Sequence, residues 1–325
     1  MAHQRAYTDD HAVTMETLAE VARQYYERFM TQAEIAQNIG VSRSQVSRYL
    51  KAAQEAGIVQ ITIALPASSD PELEAALLAR FKQLREVSVI PTSATVLSRV
   101  AAAGAGILQR LVQADDTVSV GAGRTLAQLV SALEPRRQDG VVVVQAMGNV
   151  GHEGHDIDYN AIAHGVAAAF GGRSFQINAP AILSVPYLAE DMQRSHASIG
   201  NAVDRARKAD VFVIGLGTLA SDTLFVTTGL LTEDDIEAVA QSDPAGDICG
   251  RFYDSRGKSI STPFDERIVG IRLEDLKRGR AVLAVASGTE KAAPMLGALR
   301  GGYLTHIATD DTVAREILAQ AGRRR

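Results

Sequence analysis

The sequence contains little cysteine and no long apolar run. Cys249 is the single cysteine among 325 residues, so the chain cannot form an internal disulfide, and this usage fits a reducing cytoplasm. The longest apolar stretches, such as "VFVIGLGTLA" from Val211, are far shorter than the roughly 20 residues that a membrane helix needs. The first residues, "MAHQRAYTDDHAV", lack the apolar centre of a signal peptide. We therefore expect a cytoplasmic protein with no membrane partner.

The sequence also lacks an excess of positive charge. Its formal net charge is −5 and its pI is about 5.8, which excludes a general polyanion binder. Any nucleic-acid site must therefore be a local patch. The length of 325 residues allows two or three domains, and a hydrophobic content of 46% is ample for a packed core.

Residues 14–65 carry the pattern of a helix-turn-helix unit, whereas residues 1–13 are polar and aperiodic and predict a flexible tail. Apolar residues at helical spacing predict a first helix behind that tail. Thr31 and Glu34 form a capping-box pattern for a second helix, which Gly40 ends. Ser42 then caps a third helix, and the alternation in "IVQITIAL" predicts a short strand or wing after it.

The third helix has side chains suited to DNA, because the second helix of a helix-turn-helix pair lies in the major groove. Arginine can pair with guanine, glutamine with adenine, and serine with phosphates or bases. No carboxylate lies between Ser42 and Lys51. Residues 1–65 as a whole hold 6 Lys or Arg against 7 Asp or Glu, so only the reading face has an excess of positive charge. The predicted DNA contacts are Thr31, Gln32, Ser42, Arg43, Ser44, Gln45, Ser47 and Arg48. The alternative is a packing hairpin whose arginines are ordinary surface charges.

Residues 66–325 predict a separate α/β domain for effector binding and oligomerisation. A turn-rich connector, "PASSDPE", precedes a helix in "DPELEAALLARF". Short apolar strands then alternate with helices, and most of these strands are apolar on both faces, which is typical of a parallel, Rossmann-like sheet covered by helices. The predicted strands lie in "VSVI", "TVSVGAG", "GVVVVQAMG", "SFQIN", "ADVFVIGLG", "GIRL" and "AVLAVASG".

Several predicted strands run directly into glycine-bearing turns. Free backbone N–H groups converge where a strand turns into a helix, and the helix dipole there favours negative charge. In open α/β sheets such loops collect at the carboxyl edge, so four of them can line one crevice for a small anionic or polyhydroxylated ligand. The effector-binding candidates are Gly121, Gly123, Arg124, Thr125, Gln145, Gly148, Asn149, Asp247 and Lys291. Each loop alone is more often an ordinary turn.

Cofactor and metal motifs are weak in this sequence. "GAGRT" lacks the lysine that follows the last glycine of a Walker A loop and the third glycine of a dinucleotide fingerprint, so we predict no nucleotide cofactor. "GHEGHDIDYN" gathers histidines and carboxylates, but its spacing differs from HExxH and no second cluster accompanies it. We expect a polar loop there, not a metal site, and a small buried residue at Cys249.

Taken in order along the chain, these motifs resemble the SorC type of sugar-binding transcriptional regulator. At the N-terminal end the resemblance is carried by "YYERFMTQAEIAQNIGVSRSQVSRYLKAAQEAGIV". In the larger domain it is carried by "VGAGRTL", "GDICGRFYDSRG" and "VASGTEKAAPMLGALRGGYLTHIATDDTVA". It covers almost the whole chain, from roughly residue 18 to residue 317.

The resemblance implies a large domain with the fold of sugar-phosphate isomerases related to glucosamine-6-phosphate deaminase, used for sensing. It also implies a tetramer built as a dimer of dimers, whose operator affinity changes when a phosphorylated sugar or related metabolite binds. By motif position, Gly123, Arg124 and Thr125 would hold the phosphate or hydroxyl end of the ligand. Asp247 would accept ligand hydroxyls, Gly148 would lie in the second loop, and Lys291 would meet negative charge. Asn149 and Ser287 stand where a glycine is common in the family.

The main hypothesis is a homo-oligomeric repressor or activator, a dimer or tetramer, of a sugar or polyol catabolic operon. An effector in the large domain would act through different affinities for two states of the DNA-binding modules. The alternative is a sugar-phosphate isomerase or deaminase fused to a DNA-binding module, with its acid and base among the Asp and His residues of 152–164. A pure scaffold fits the glycine loops poorly. The sequence leaves the sugar, the operator and the direction of the response open.

Overall fold

The computed structural model describes residues 14–26, 28, 30–59, 69–93, 95–150, 159–218 and 231–322. Two compact units make up the chain, Met1–Pro66 and Ala67–Arg325, and each has a hydrophobic core of its own. The predicted tail at 1–13, the greater part of the predicted wing strand and the polar loop at 151–158 lie outside the described residues.

In the small unit the described helices are α1 (Met15–Tyr26), α2 (Gln32–Ile39) and α3 (Arg43–Glu55). The predicted capping box is confirmed, because Thr31 Oγ1 accepts a hydrogen bond from the Glu34 amide at 3.3 Å while Glu34 Oε2 accepts one from the Thr31 amide at 2.8 Å. Gly40 ends α2 with a φ of 69°, a conformation that costs glycine little. Ser42 Oγ accepts from the Gln45 amide at 3.2 Å and begins α3.

The core of the small unit joins all three helices. Val21, Ile35 and Val46 are almost fully buried and form one cluster with Ala36 and Leu50. These residues recur at helical spacing on one side of each helix, so burying them fixes α3 against its two neighbours and leaves its opposite side in solvent. The side of α3 that carries Val46 and Leu50 therefore faces the core.

The large unit is built on a seven-stranded, wholly parallel sheet in the order β1-β9-β8-β5-β2-β3-β4. The strands of this sheet are β1 (Glu86–Ile90), β2 (Thr117–Val120), β3 (Val142–Gln145), β4 (Arg173–Phe175), β5 (Val211–Ile214), β8 (Ala281–Val285) and β9 (His306–Asp310). The described helices of this unit are α4 (Pro71–Arg80), α5 (Val96–Leu111), α6 (Arg124–Ser131), α7 (Tyr159–Phe170), α8 (Pro186–Ser195), α9 (Ala197–Arg207), α10 (Glu233–Ala240), α11 (Leu273–Leu276), α12 (Ala292–Arg300) and α13 (Asp311–Gly322).

Helices cover both faces of this sheet, because two large hydrophobic clusters use alternate residues of the same strands. Phe212 and Ile214 of β5 belong to one cluster, and Val211 and Val213 belong to the other. Strands β3, β5 and β8 are buried along their whole length. The predicted parallel sheet with apolar residues on both faces is confirmed.

Two local predictions differ from the structure. "GIRL" is not a strand: Gly270 forms an isolated bridge with Met147, and Leu273 begins the short helix α11, whose cap is made by the Asp275 carboxylate accepting from the Arg272 amide at 2.8 Å. The segment is apolar because it packs beside the sheet and not within it. Strand β9, in "HIATD", was not among the predicted strands. All five of its residues are buried, but its histidine, threonine and aspartate leave no apolar run in the sequence.

A second, two-stranded sheet pairs β6 (Gly246–Ile248) with β7 (Arg251–Tyr253). Its turn is Cys249–Gly250, with φ values of 52° and 78°, the positive pair that a tight two-residue hairpin turn requires. Cys249 is half-buried, and burial raises the pKa of its thiol to about 12. The thiol is therefore neutral, and the side chain is less buried than the sequence predicts.

Candidate functional site

The outward side of α3 is polar and carries no acidic side chain in its first two turns. Arg43, Ser44, Ser47 and Arg48 are exposed, and neither arginine forms an ion pair with a described residue. Ser44, Arg48 and Lys51 lie three or four residues apart, so they project from the side opposite Val46 and Leu50. This geometry leaves two cations free to approach a nucleic-acid backbone or base edge.

Four of the predicted DNA contacts, Thr31, Ser42, Ser44 and Gln45, form local hydrogen bonds. Ser42 and Thr31 cap helices, and Ser42 Oγ also lies 2.9 Å from Ser44 Oγ. The Gln45 Nε2 group donates to Tyr49 Oη at 3.1 Å, so Tyr49 holds the amide to one flank of the exposed face. Gln32 is half-buried at the start of α2. Tyr49 was not among the predicted site residues, although its position four residues after Gln45 on a helix predicts such a contact.

In the large unit the carboxyl ends of four neighbouring strands, β8, β5, β2 and β3, carry the glycine loops. The chain runs from β2 outward to β3 and β4, then returns to β5 on the other side of β2 and continues to β8 and β9. The strand order therefore reverses between β2 and β5. Ligands of open α/β sheets bind in the crevice outside such a reversal.

The loop after β2 lies beside this reversal and leads into α6. Gly121 donates its N–H to Val213 O at 2.8 Å, which ties the loop to the end of β5. Gly123 precedes α6 with a φ of 136° and has no side chain to cap the helix. Arg124 is exposed without a described hydrogen bond or ion pair, and Thr125 is half-buried. First-turn amides without a capping side chain and a free guanidinium suit an anion.

The loop after β3 is held by side chains and by close packing. Gln145 is buried, and its amide donates to Asn149 Oδ1 at 3.3 Å and Asn160 Oδ1 at 2.9 Å while accepting from the Ile177 N–H at 2.8 Å. A Cβ at Gly148 would lie 2.5 Å from Ala179 O, so backbone packing explains that glycine. Asn149 stays half-buried, with its backbone bonded to Ala179 and Ala181. Gln145 and Gly148 thus shape this loop.

Asp247 on β6 lies against the loop that follows β5. The backbones of Asp247 and Gly217 bond to each other, and a Cβ at Gly217 would lie 1.9 Å from Asp247 Oδ1. Oδ2 accepts from the Gly250 N–H at 2.9 Å, and no described residue donates to Oδ1. Burial raises the pKa of Asp247 to about 6, whereas the nearby charge of Lys291 lowers it. The absence of a side chain at Gly217 therefore leaves room for a buried carboxylate, and one oxygen of that carboxylate accepts no hydrogen bond from a described residue.

The loop after β8 brings the charge of Lys291 near Asp247. This loop is anchored by Asp310, which was not among the predicted site residues. Asp310, at the end of β9, accepts at Oδ2 from Ser287 Oγ and the Gly288 amide, both at 2.8 Å, and at Oδ1 from the Val313 amide at 2.9 Å. Burial opposes its ionisation, but these bonds and one from Thr312 Oγ1 lower its pKa. An aspartate ending a strand before a helix is a recognisable signal once β9 is identified.

No group of three or more His, Cys, Asp or Glu residues placed to hold a metal occurs in the described part of the chain. The histidines and carboxylates of "GHEGHDID" fall at 151–158 and lie outside that part. Of the residues proposed for an alternative acid/base pair, His164 is described, and it lies exposed on α7. No helix of the described residues has the length and apolar character to cross a bilayer.

A helix-turn-helix unit with an exposed cationic face, followed by a parallel α/β unit with glycine loops at its carboxyl edge, is typical of a DNA-binding regulator with a ligand-binding domain. The Sugar-bind family, a sugar-binding domain, matches residues 65–319, and a winged helix-turn-helix DNA-binding family matches residues 27–60. The chain belongs to the SorC family of sugar-binding transcriptional regulators.

Similar proteins support this assignment over nearly the whole chain. The sorbitol operon regulator of Klebsiella pneumoniae is 31% identical over 312 residues, which cover 93% of this chain and 97% of that protein. The deoxyribonucleoside regulator of Bacillus subtilis (strain 168) is 28% identical over 308 residues, covering 92% and 96%. The crystal structure of full-length SorC from Klebsiella pneumoniae matches with a TM-score of 0.71 at 28% identity, covering 94% of this chain and 99% of that chain. The comparisons place the chain among regulators, and the isomerase or deaminase alternative is not favoured.

Proposed function

We propose that this protein is a cytoplasmic, homo-oligomeric repressor or activator of a carbohydrate or polyol catabolic operon. Its effector is a small sugar, sugar phosphate or polyol that binds at the carboxyl edge of the parallel sheet. The names of two similar proteins, a sorbitol operon regulator and a deoxyribonucleoside regulator, support this effector class. A dimer or tetramer suits operator reading, because paired helix-turn-helix modules bind two half-sites at a fixed spacing.

The observation that carries the effector proposal is the charge pattern around the strand reversal. Arg124 lies on the loop after β2, which flanks the reversal, and Lys291 lies on the loop after β8, the strand next to β5. The Asp247 carboxylate is buried, feels the charge of Lys291, and has one oxygen that accepts no hydrogen bond from a described residue. Cations and uncapped helix amides bind a phosphate, whereas a carboxylate accepts hydrogen bonds from sugar hydroxyls. Together they match a ligand that carries an anionic end and a hydroxylated body.

For the operator, we propose that Arg43, Ser44, Ser47 and Arg48 contact DNA directly, with Gln45 positioned by Tyr49. The remaining proposed contacts are Ser42, Thr31 and Gln32. Ser42 and Thr31 act chiefly by capping their helices, which presents the first-turn backbone amides to DNA phosphates. Because residues 1–65 carry slightly more acidic than basic side chains, little affinity comes from bulk charge. Specific binding then depends on few contacts and on the pairing of modules.

The effector proposal is tested by measuring binding of the full-length protein to the DNA upstream of its own gene, with and without a panel of sugars, polyols and sugar phosphates. At least one compound should change the apparent affinity several-fold. Lys291→Ala should leave DNA binding intact and blunt that change, while Lys82→Ala, an exposed lysine in the turn after α4, serves as the control. Indifference of the wild-type protein to every compound would count against the proposal.

The operator proposal is tested with single substitutions on α3. Arg43→Ala or Arg48→Ala should weaken specific DNA binding by about tenfold or more, since a bidentate arginine contact contributes about 1–3 kcal/mol. Arg28→Ala removes the same charge from the same unit. Because Arg28 follows α1 and forms an ion pair with Glu20 of that helix at 3.6 Å, away from the exposed side of α3, we expect a much smaller effect. Equal losses in all three variants would reduce the role of α3 to general electrostatics.

A further inference from the structure

A cleft in the large unit holds a cation that no described carboxylate contacts. The cleft lies between helix α8 and the segment 265–272 and has a volume of about 700 Å³. Arg207, the last residue of α9, lines it together with Arg251 of β7 and Arg272. None of its lining residues is an effector candidate, so it involves a different part of the unit from the crevice.

Arg207 is held in place by neutral oxygens. Its Nε donates to Gly270 O at 3.0 Å, and Nη2 donates to Gln193 Oε1 at 3.4 Å. No described carboxylate oxygen lies within 4.0 Å of it, and Nη1 has no described acceptor. Burial and the charge of Arg272 lower the pKa of Arg207, although the charges of Asp275, Asp204 and Glu274 oppose this. A half-buried guanidinium that forms no ion pair with a described residue is stabilised when an anion reaches it.

The other charged groups along the cleft are largely paired with one another. The pairs are Arg194 with Glu190 at 3.2 Å, Arg251 with Asp265 at 3.4 Å, and Arg272 with Glu274 at 3.8 Å. Glu266 lines the cleft, is exposed and has no described partner, so it acts against an incoming anion. The charges of the lining groups together favour a negative ligand beside Arg207, and the charge of Glu266 weakens that preference.

The walls near Arg207 are fixed before any ligand arrives. The guanidinium of Arg251 donates to Asp265 O at 2.6 Å and to Ile271 O at 3.4 Å, and it is buried. The same segment continues into Gly270, which bridges to Met147 beyond the end of β3. Because arginine presents a rigid fork of donors, a guanidinium already held in place, as Arg207 is by Gly270 O and Gln193 Oε1, recognises an oxyanion with little loss of entropy.

We propose that this cleft is a second ligand site, which binds a small, doubly charged oxyanion such as a phosphate ester or a dicarboxylate. Arg207 is its principal donor, with Arg272 as the second cation. The competing explanation is that Arg207 serves the fold alone, through its bond to Gly270 O. The two explanations make different predictions. A ligand site requires that an anion binds in the cleft and that its binding depends on the Arg207 charge. A purely structural role requires neither.

The test is calorimetric titration of the full-length protein at constant ionic strength, with inorganic phosphate in one arm and malonate in the other. The background variant is Arg124→Ala with Lys291→Ala, which removes anion binding at the proposed effector crevice. We expect binding to persist in that background, and Arg207→Met to weaken it about tenfold or more. Phosphate binding alone would identify a phosphate ester as the ligand, and malonate binding would identify a dicarboxylate.

Two further variants keep the test decisive. Arg205→Met removes an exposed arginine from the same last turn of α9, where it stacks on Phe175 at 5.0 Å, and should leave anion binding unchanged. Glu266→Gln should strengthen binding about two- to threefold, because it removes the opposing charge without disturbing the Gly270 contact. The proposal is overturned if the background variant binds neither anion, or if Arg207→Met and Glu266→Gln both bind as the background does.

Discussion

At the residue scale, the proposed effector residue Asp247 makes stability depend on pH. Its carboxyl is buried with one hydrogen bond from the Gly250 amide, and burial raises its pKa from 3.8 to about 6. Because the folded protein holds this proton more tightly than the unfolded chain, its contribution is most favourable below the unfolded value. That contribution is lost as the pH rises through the folded value. The apo protein therefore keeps an ionised Asp247 at neutral pH at a cost in stability.

Asp247→Asn should consequently stabilise the apo protein at pH 8, by up to about 3 kcal/mol, and by less at pH 5. The asparagine can still accept from the Gly250 amide, but it lacks the charge that burial penalises. Thermal unfolding at the two pH values measures this difference. The same variant should respond less to the effector. A loss of stability at pH 8 would show that the carboxylate is satisfied in the apo protein.

Close backbone packing at Gly148 gives a second prediction at this scale. Gly148→Ala should destabilise the large unit by about 1–3 kcal/mol, because the added Cβ meets Ala179 O at 2.5 Å and backbone cannot yield as a side chain can. Denaturant unfolding measures the change. Gly106→Ala in helix α5 is the matched control, since its Cβ would meet Arg110 Nη1 at 3.4 Å, the end of a flexible side chain.

The control should be neutral or stabilising by about 0.5–1 kcal/mol, as is usual for glycine in a helix interior. If Gly148→Ala were as stable as the control, the contact with Ala179 would be easily relieved. A ligand role for that glycine would then be the better explanation.

At the element scale, the turn between the helices of the small unit depends on local chemistry. Thr31→Ala should cost about 1 kcal/mol in the stability of that unit, because it leaves the Glu34 amide without its capping oxygen. Thr31→Ser keeps the hydroxyl and should behave nearly as wild type. Unfolding followed by far-ultraviolet circular dichroism measures both variants. Equal stability of the alanine and serine variants would mean that solvent replaces the cap.

The elements that the sequence predicted well are those whose signals are local. The capping box at Thr31 and Glu34 and the positive φ of Gly40 need no distant partner. "GIRL" was misread because an apolar run of that length packs equally well beside a sheet as within one. Strand β9 was missed because His306 and Asp310 are polar residues whose burial depends on partners elsewhere in the fold.

At the scale of the whole molecule, each unit has its own core. Val46 and Leu50 belong to the cluster of the small unit, and the strands supply the two clusters of the large one. Calorimetry of the full-length protein should therefore resolve two transitions. Gly148→Ala should lower only one of them, and Thr31→Ala only the other. A common shift in both transitions for either variant would mean that the units unfold as one cooperative system.

The sequence by itself determined the helix-turn-helix, the parallel α/β class and the glycine loops, because caps, turns and apolar periodicity are written in neighbouring residues. The tertiary structure decided which loops meet, since only the strand order places the loops of β8, β5, β2 and β3 side by side. It also decided that Asp247 is buried beside Gly217 and that Arg207 forms no ion pair with a described carboxylate. Burial and charge pairing depend on residues distant in the chain, so no local pattern could predict them.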